Sequence, residues 1–161
     1  MTLEVFHPLL IISARVLADA EHAPRIDEAY RALAKLTRSG MRLLLTESEP
    51  DQWFPTRSSD DNVLVAQSRL QQRLEQEGGE LDGFYYVPRS MLTQDRNRLG
   101  ALTDILGRYG AHADNAHLIS ASRAFLKTAQ RLGINTYRMK KGAKDTDRLI
   151  TTLKALPMHE R

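Results

Sequence analysis

A chain of 161 residues is long enough for one well-buried domain and too short for two of ordinary size. Its 42% hydrophobic and 27% charged residues are those of an ordinary globular protein, and its net charge of +3, with bases scattered among acids, argues against a nucleic-acid partner. The chain has no cysteine, which excludes disulfides, thiolate zinc sites and cysteine nucleophiles.

Leu9-Leu10-Ile11-Ile12 reads as a buried strand that exits into Ser13-Ala14-Arg15. Ala18-Asp19-Ala20 looks like a signal-cleavage site, but no Lys or Arg precedes the apolar stretch and His7-Pro8 interrupts it. With no run of membrane-spanning length, the expectation is a mature cytoplasmic protein without a membrane partner. A loop containing Pro24 leads to an amphipathic helix over 26–39, with Ile26, Ala29, Tyr30, Leu33 and Leu36 at helical spacing. Gly40 stops it, and Met41 to Thr46 is a second strand. Beyond a loop with Pro50 and Pro55, a long helix runs over 59–77 and ends at Gly78-Gly79. Phe84 to Val87 is a third strand, followed by a helix over 96–109 and a fourth strand, His117 to Ser120. Ser122 is placed to cap the next helix, which ends at Gly133. A fifth strand (134–139) and a helix (144–155) complete the chain, and Pro157 stops that helix. Strands alternating with helices imply a parallel sheet covered on both faces.

The run Gly79-Glu80-Leu81-Asp82-Gly83-Phe84-Tyr85-Tyr86-Val87-Pro88 resembles a segment of the haloacid-dehalogenase-like (HAD) phosphatases. It is most similar to the branch with heptose bisphosphate and histidinol phosphatases, in which such a run precedes a zinc loop. Leu43-Leu44-Leu45-Thr46 resembles that family's second motif, and Leu118 to Ala129 is laid out like its fourth. The resemblance covers nearly the whole chain. It implies a single HAD-like, Rossmann-type domain over 1–161, a three-layer sandwich with strand order 3-2-1-4-5 and no cap domain.

The resemblance also implies where catalytic groups would stand, and there the chain departs from the pattern. Ser13 takes the place of the aspartate nucleophile and Arg15 that of the general acid. Ser120, Ala121 and Phe125 stand where the fourth motif has its glycine and magnesium-binding aspartates. Arg96 aligns with the third motif's lysine, and Val87 replaces the first zinc-loop cysteine. Thr46 alone is retained. Aspartyl-phosphate chemistry needs a carboxylate nucleophile, a proton donor and magnesium held by hard oxygen ligands. On this reading the protein is a catalytically inactive, phosphatase-like binding or regulatory module that needs neither magnesium nor zinc. The alternative is a phosphatase for a sugar-phosphate or histidinol-phosphate-like substrate, with residual or altered hydrolase activity.

Arginine binds phosphate without a metal. Arg15, Arg96 and Arg123, with the hydroxyls of Thr46, Ser120 and Ser122, therefore form a candidate metal-independent pocket for a phosphorylated small molecule. The competing reading has these arginines paired with Asp19, Glu47 and Asp51 in a closed cleft. Ser13 reads either as a replacement nucleophile, lacking a positioned base, or as a backbone-capping serine. Trp53 and Phe54, between two prolines, are expected to form a lid or to anchor a protein partner. His112, Asp114 and His117 supply too few ligands for a metal site.

Overall fold

The fold is described from a computed structural model, which places residues 7–48, 60–87, 95–140 and 145–157. Five strands, β1 (Leu9–Ser13), β2 (Arg42–Ser48), β3 (Gly83–Val87), β4 (Ala116–Ser120) and β5 (Asn135–Arg138), form one parallel sheet in the order β3-β2-β1-β4-β5. Among the described residues six α-helices accompany it: α1 (Ala14–Asp19), α2 (Ile26–Arg38), α3 (Asp60–Gln76), α4 (Asp95–Arg108), α5 (Arg123–Arg131) and α6 (Thr146–Ala155). This is the doubly covered parallel sheet that the alternation of strands and helices implies, in the strand order that the HAD resemblance implies.

The three central strands, β1, β2 and β4, are largely apolar on both faces because both are covered. Leu10, Ile12, Leu43, Leu45 and Ile119 pack with α1, α2, α3 and α6. Leu9, Ile11, Leu44, Ala116 and Leu118 pack with α4 and α5. On α2 the buried residues Ile26, Ala29, Tyr30, Leu33 and Leu36 form the stripe that the periodicity marks. Helices return to strands through left-handed glycines. Gly40 has φ +105°, and Met41 N–H donates to Leu36 O (3.2 Å); Gly133 has φ +90°, and Ile134 N–H donates to Ala129 O (3.0 Å). Both are the helix-ending bond between the second residue past the cap and the last full turn.

Several boundaries differ from expectation; β2, for one, runs on to Ser48, two residues past Thr46, and pairs there with β3. Residues 14–19 are helical where a loop is expected, because six residues are too few to show a period. The fifth strand is shorter at each end. Ile134 gives its N–H to the end of α5, and Met139 N–H bonds Ser120 O (3.0 Å) beyond the paired register. Among the described residues no helix is long and apolar enough to cross a membrane.

Candidate functional site

In a parallel sheet of this kind, ligands bind beyond the carboxyl ends of the strands, where strand order reverses. Here the reversal lies at β1, between β2 and β4. Side chains alternate between the two faces of a strand. Ser13 follows Ile11, Thr46 follows Leu44 and Ser120 follows Leu118, and all three predecessors face the α4–α5 layer. The three hydroxyl residues therefore share that face at the last row of the sheet. Ser13 is the register partner of Thr46, and the register Ile12–Ile119 leads Ser13 to Ser120. With strands ~4.8 Å apart, the row spans roughly 10 Å. Tyr85 continues it on one side, opposite Thr46, and Arg138 on the other, opposite Ser120.

Thr46 and Ser120 are buried, at 4% and 2% exposure, while Ser13 is half-buried. Ser13 occupies the N-cap position of α1 with extended backbone, yet its hydroxyl makes no capping bond. Ser120 Oγ accepts the N–H of Ser122 (3.1 Å), and Ser122 Oγ accepts the N–H of Phe125 (3.3 Å). The cap expected of Ser122 is thus formed. It opens α5, whose positive dipole end lies beside the row.

The remaining sequence-picked residues divide by distance from this row. Arg15 is on the first turn of α1, with its side chain 79% exposed and its Nε 3.9 Å from Asp19 Oδ1. Ala121 is half-buried, and Phe125 packs into the α4–α5 core. Arg123 is exposed on the first turn of α5. Arg96 is exposed on α4, next to Asp95, which meets α5 at Thr128 and Arg131, more than a turn beyond Ser122. The structure gathers Ser13, Thr46 and Ser120, ties Ser122 to the row, places Arg123 at the exposed start of α5 and sets Arg96 apart. Trp53, Phe54 and Asp51 lie outside the described residues, as does the 88–94 stretch that follows β3.

The sequence reading missed a polar cluster between α4 and α5. Asp95 accepts hydrogen bonds from Thr128 Oγ1 (2.9 Å) and from Arg131, and Arg98 Nε donates to Thr128 Oγ1 (3.2 Å). The Thr128 hydroxyl, more than Arg131, holds the Asp95 carboxyl below the ordinary range. On the neighbouring turns Tyr85 Oη donates to Asp104 (2.7 Å), and the Arg108 guanidinium lies 5.6 Å from the centre of the Tyr85 ring. Burial, reinforced by that bond, pushes the Tyr85 phenol up to about 12. The bonds between elements join residues 19 to 36 apart in sequence, and the local pairs Asp95–Arg98 and Asp104–Arg108 do not reveal them.

No family model and no curated protein matches the chain. Solved structures do. D,D-heptose 1,7-bisphosphate phosphatase from B. bronchiseptica, complexed with magnesium and phosphate, superposes with a TM-score of 0.61 at 19% identity, covering 96% of this chain and 90% of that one. The chain has a HAD-like fold. The heptose bisphosphate phosphatase of Burkholderia thailandensis matches at TM-score 0.55 and 15% identity, again over 96% and 90%. A HAD family enzyme from Bacteroides thetaiotaomicron, in a magnesium complex, matches at TM-score 0.51 and 14% identity over 89% and 98%.

Two of these HAD-fold structures overturn the expectation that magnesium has no place here, and the metal-independent part of the pocket reading goes with it. In this chain the row offers hydroxyl oxygens, which are hard donors of the kind magnesium accepts. Magnesium commonly takes one or two carboxylates and completes its shell with water and substrate phosphate. Among the described residues the carboxylates nearest this edge in sequence are Glu47, next to Thr46, and Asp19, near Arg15. Among the described residues no group of three or more His, Cys, Asp or Glu gathers around one point.

Proposed function

We propose that this HAD-fold, phosphatase-like protein binds a phosphorylated small molecule at the carboxyl ends of β1, β2 and β4 and does not hydrolyse it by the aspartyl-phosphate route. One observation carries the reading: the end of β1, beside Thr46, bears the neutral hydroxyl of Ser13 in place of a carboxylate. A serine becomes a nucleophile only with a base in hydrogen-bond reach. Asp19, the acid at the end of α1, lies by Arg15, and His22 is exposed in the following turn. Loss of a nucleophile alone costs on the order of a millionfold in serine-protease catalysis.

Binding draws on groups that need no proton transfer. The hydroxyls of Thr46 and Ser120 donate to phosphate oxygens. The start of α5, with Ser122 and Arg123, adds backbone N–H groups and a cation, and Arg15 closes over the anion from α1. A magnesium ion bound with the ligand would neutralise phosphate charge, and the Ser13, Thr46 and Ser120 hydroxyls would be the oxygens the row could offer it. The arrangement suits a binding or regulatory role in which occupancy, not turnover, is the output.

Calorimetric titration with inorganic phosphate and with a sugar phosphate, each with and without magnesium, tests this. Saturable binding that weakens about tenfold, or ~1.4 kcal/mol, in Thr46→Val supports it. Affinity unchanged by Thr46→Val, or the absence of binding under both conditions, contradicts it.

A further inference from the structure

The charges of this chain are segregated. Residues 115–144 hold seven of its 23 Lys and Arg and none of its 20 Asp and Glu, so the rest of the chain is acid-rich. In the fold the described part of this segment, 115–140, comprises β4, α5 and β5, one end of the sheet. Arg123, Lys127 and Arg138 are exposed, and none of their side chains pairs with an acid among the described residues.

The register places these cations on one surface. Ser120 and Leu118 face the α4–α5 layer, so their partners Arg138 and Thr136 face it too. The bond from Gln130 Nε2 to Thr136 Oγ1 (3.0 Å) fixes where α5 lies over β5. Two strand residues nearer the carboxyl edge, roughly 6.6 Å, correspond to about four residues of helix. Arg138 is therefore level with the Leu126–Lys127 turn. Along α5, Arg123, Lys127 and Arg131 recur at every fourth residue over about 12 Å. Arg131 is tied to Asp95; Arg123 and Lys127 are not. Like charges packed this closely repel, and the nearby positive end of α5 adds to the repulsion.

We propose that the α5–β5 surface centred on Lys127 and Arg138 docks an acidic segment of a partner protein. Opposite charge relieves the repulsion that the fold leaves uncompensated. A short run of Asp and Glu matches the 12 Å stripe. The surface lacks what a single-stranded nucleic acid uses for stacking. Phe125 is 8% exposed and belongs to the core, and the Tyr137 ring stacks on His117 within the opposite face of the sheet. A nucleic acid reaching beyond the stripe would also meet the acid-rich remainder of the molecule.

Fluorescence anisotropy with a labelled Asp/Glu decapeptide and a labelled ten-nucleotide oligothymidylate, at low salt and then rising salt, tests the surface on the full-length protein. The peptide is expected to bind, to dissociate as salt rises, and to bind about tenfold more weakly to Lys127→Glu/Arg138→Glu. Lys127→Gln/Arg138→Gln should lie between that variant and the wild type. Arg31→Glu/Lys35→Glu, on α2, should leave the affinity within about twofold, since those residues are on the other side of the sheet. Thr46→Val should leave it unchanged, which separates this surface from the phosphate row. Peptide affinity indifferent to the Lys127/Arg138 changes overturns the proposal, as does oligothymidylate binding at least as tightly as the peptide.

Discussion

The two layers flanking the sheet are built differently. The α1–α2–α3–α6 side has the larger apolar cluster, with Tyr30, Leu17, Leu33, Leu43 and Leu153 each at 2% exposure or less, and its polar cross-links, Arg25–Asp147, Arg73–Asp27 and Arg69–Glu21, lie at the solvent rim. The α4–α5 side has a smaller apolar cluster, supplemented by Asp95–Thr128–Arg131 and Tyr85–Asp104–Arg108. The hydroxyl row and the basic surface both belong to this second side. The first layer carries most of the apolar core, and the second packs a polar cluster against the face that ends in the hydroxyl row. Hydrogen bonds are directional and so fix geometry, which apolar contact does less well.

Truncation in the first layer should have the largest effect. Leu33→Ala removes a side chain that is 1% exposed from the centre of α2, and is expected to cost about 2–5 kcal/mol in denaturant unfolding. Phosphate affinity of the folded fraction should be unchanged. A large loss of affinity in the folded protein would break the division between the layers.

Thr128→Val in the second layer is nearly isosteric and should cost about 1 kcal/mol, because it removes the hydroxyl bonded to Asp95 and to Ala124 O. If the polar cluster positions the edge, phosphate binding should weaken although stability barely moves. Unchanged binding would reduce the cluster to a cross-link between helices.

The pH dependence should separate the layers at smaller amplitude. The Asp95 carboxyl is held low by the Thr128 hydroxyl and then by Arg131, so the folded state keeps it ionised where the unfolded chain begins to protonate. Its contribution is present above pH about 4 and is lost as pH falls through the folded value. The stability gap between the wild type and Thr128→Val should therefore close in acid. Burial pushes the Tyr30 phenol, in the first layer, up to about 12. Its contribution is present below pH about 10 and is lost between about 10 and 12, so Tyr30→Phe should flatten the alkaline limb. Unfolding midpoints across this range check both.

Much of the fold was legible because Leu9–Ile12, Leu43–Leu45 and Leu118–Ile119 are uninterrupted apolar runs and because Gly40, Gly78 and Gly133 mark helix ends. The six-residue α1 was not, since its turn is shaped by the exit from β1. At the site, each of Ser13, Thr46 and Ser120 could be picked from the sequence. That they share a face follows only from strand register and parity. Arg96 looked equivalent to Arg123 in sequence, but α4 meets α5 at Thr128, which displaces Arg96 along the layer. The charge segregation of 115–144 was visible in the sequence, but averaging over the chain hid it.

Hydrolysis of an aryl phosphate by concentrated protein in the presence of magnesium tests the central claim, that Ser13 at the end of β1 makes this edge a seat without a nucleophile. The account expects release of phosphate no faster from wild type than from Ser13→Ala, with phosphate binding retained in both. Turnover by the wild type that disappears in Ser13→Ala would contradict it.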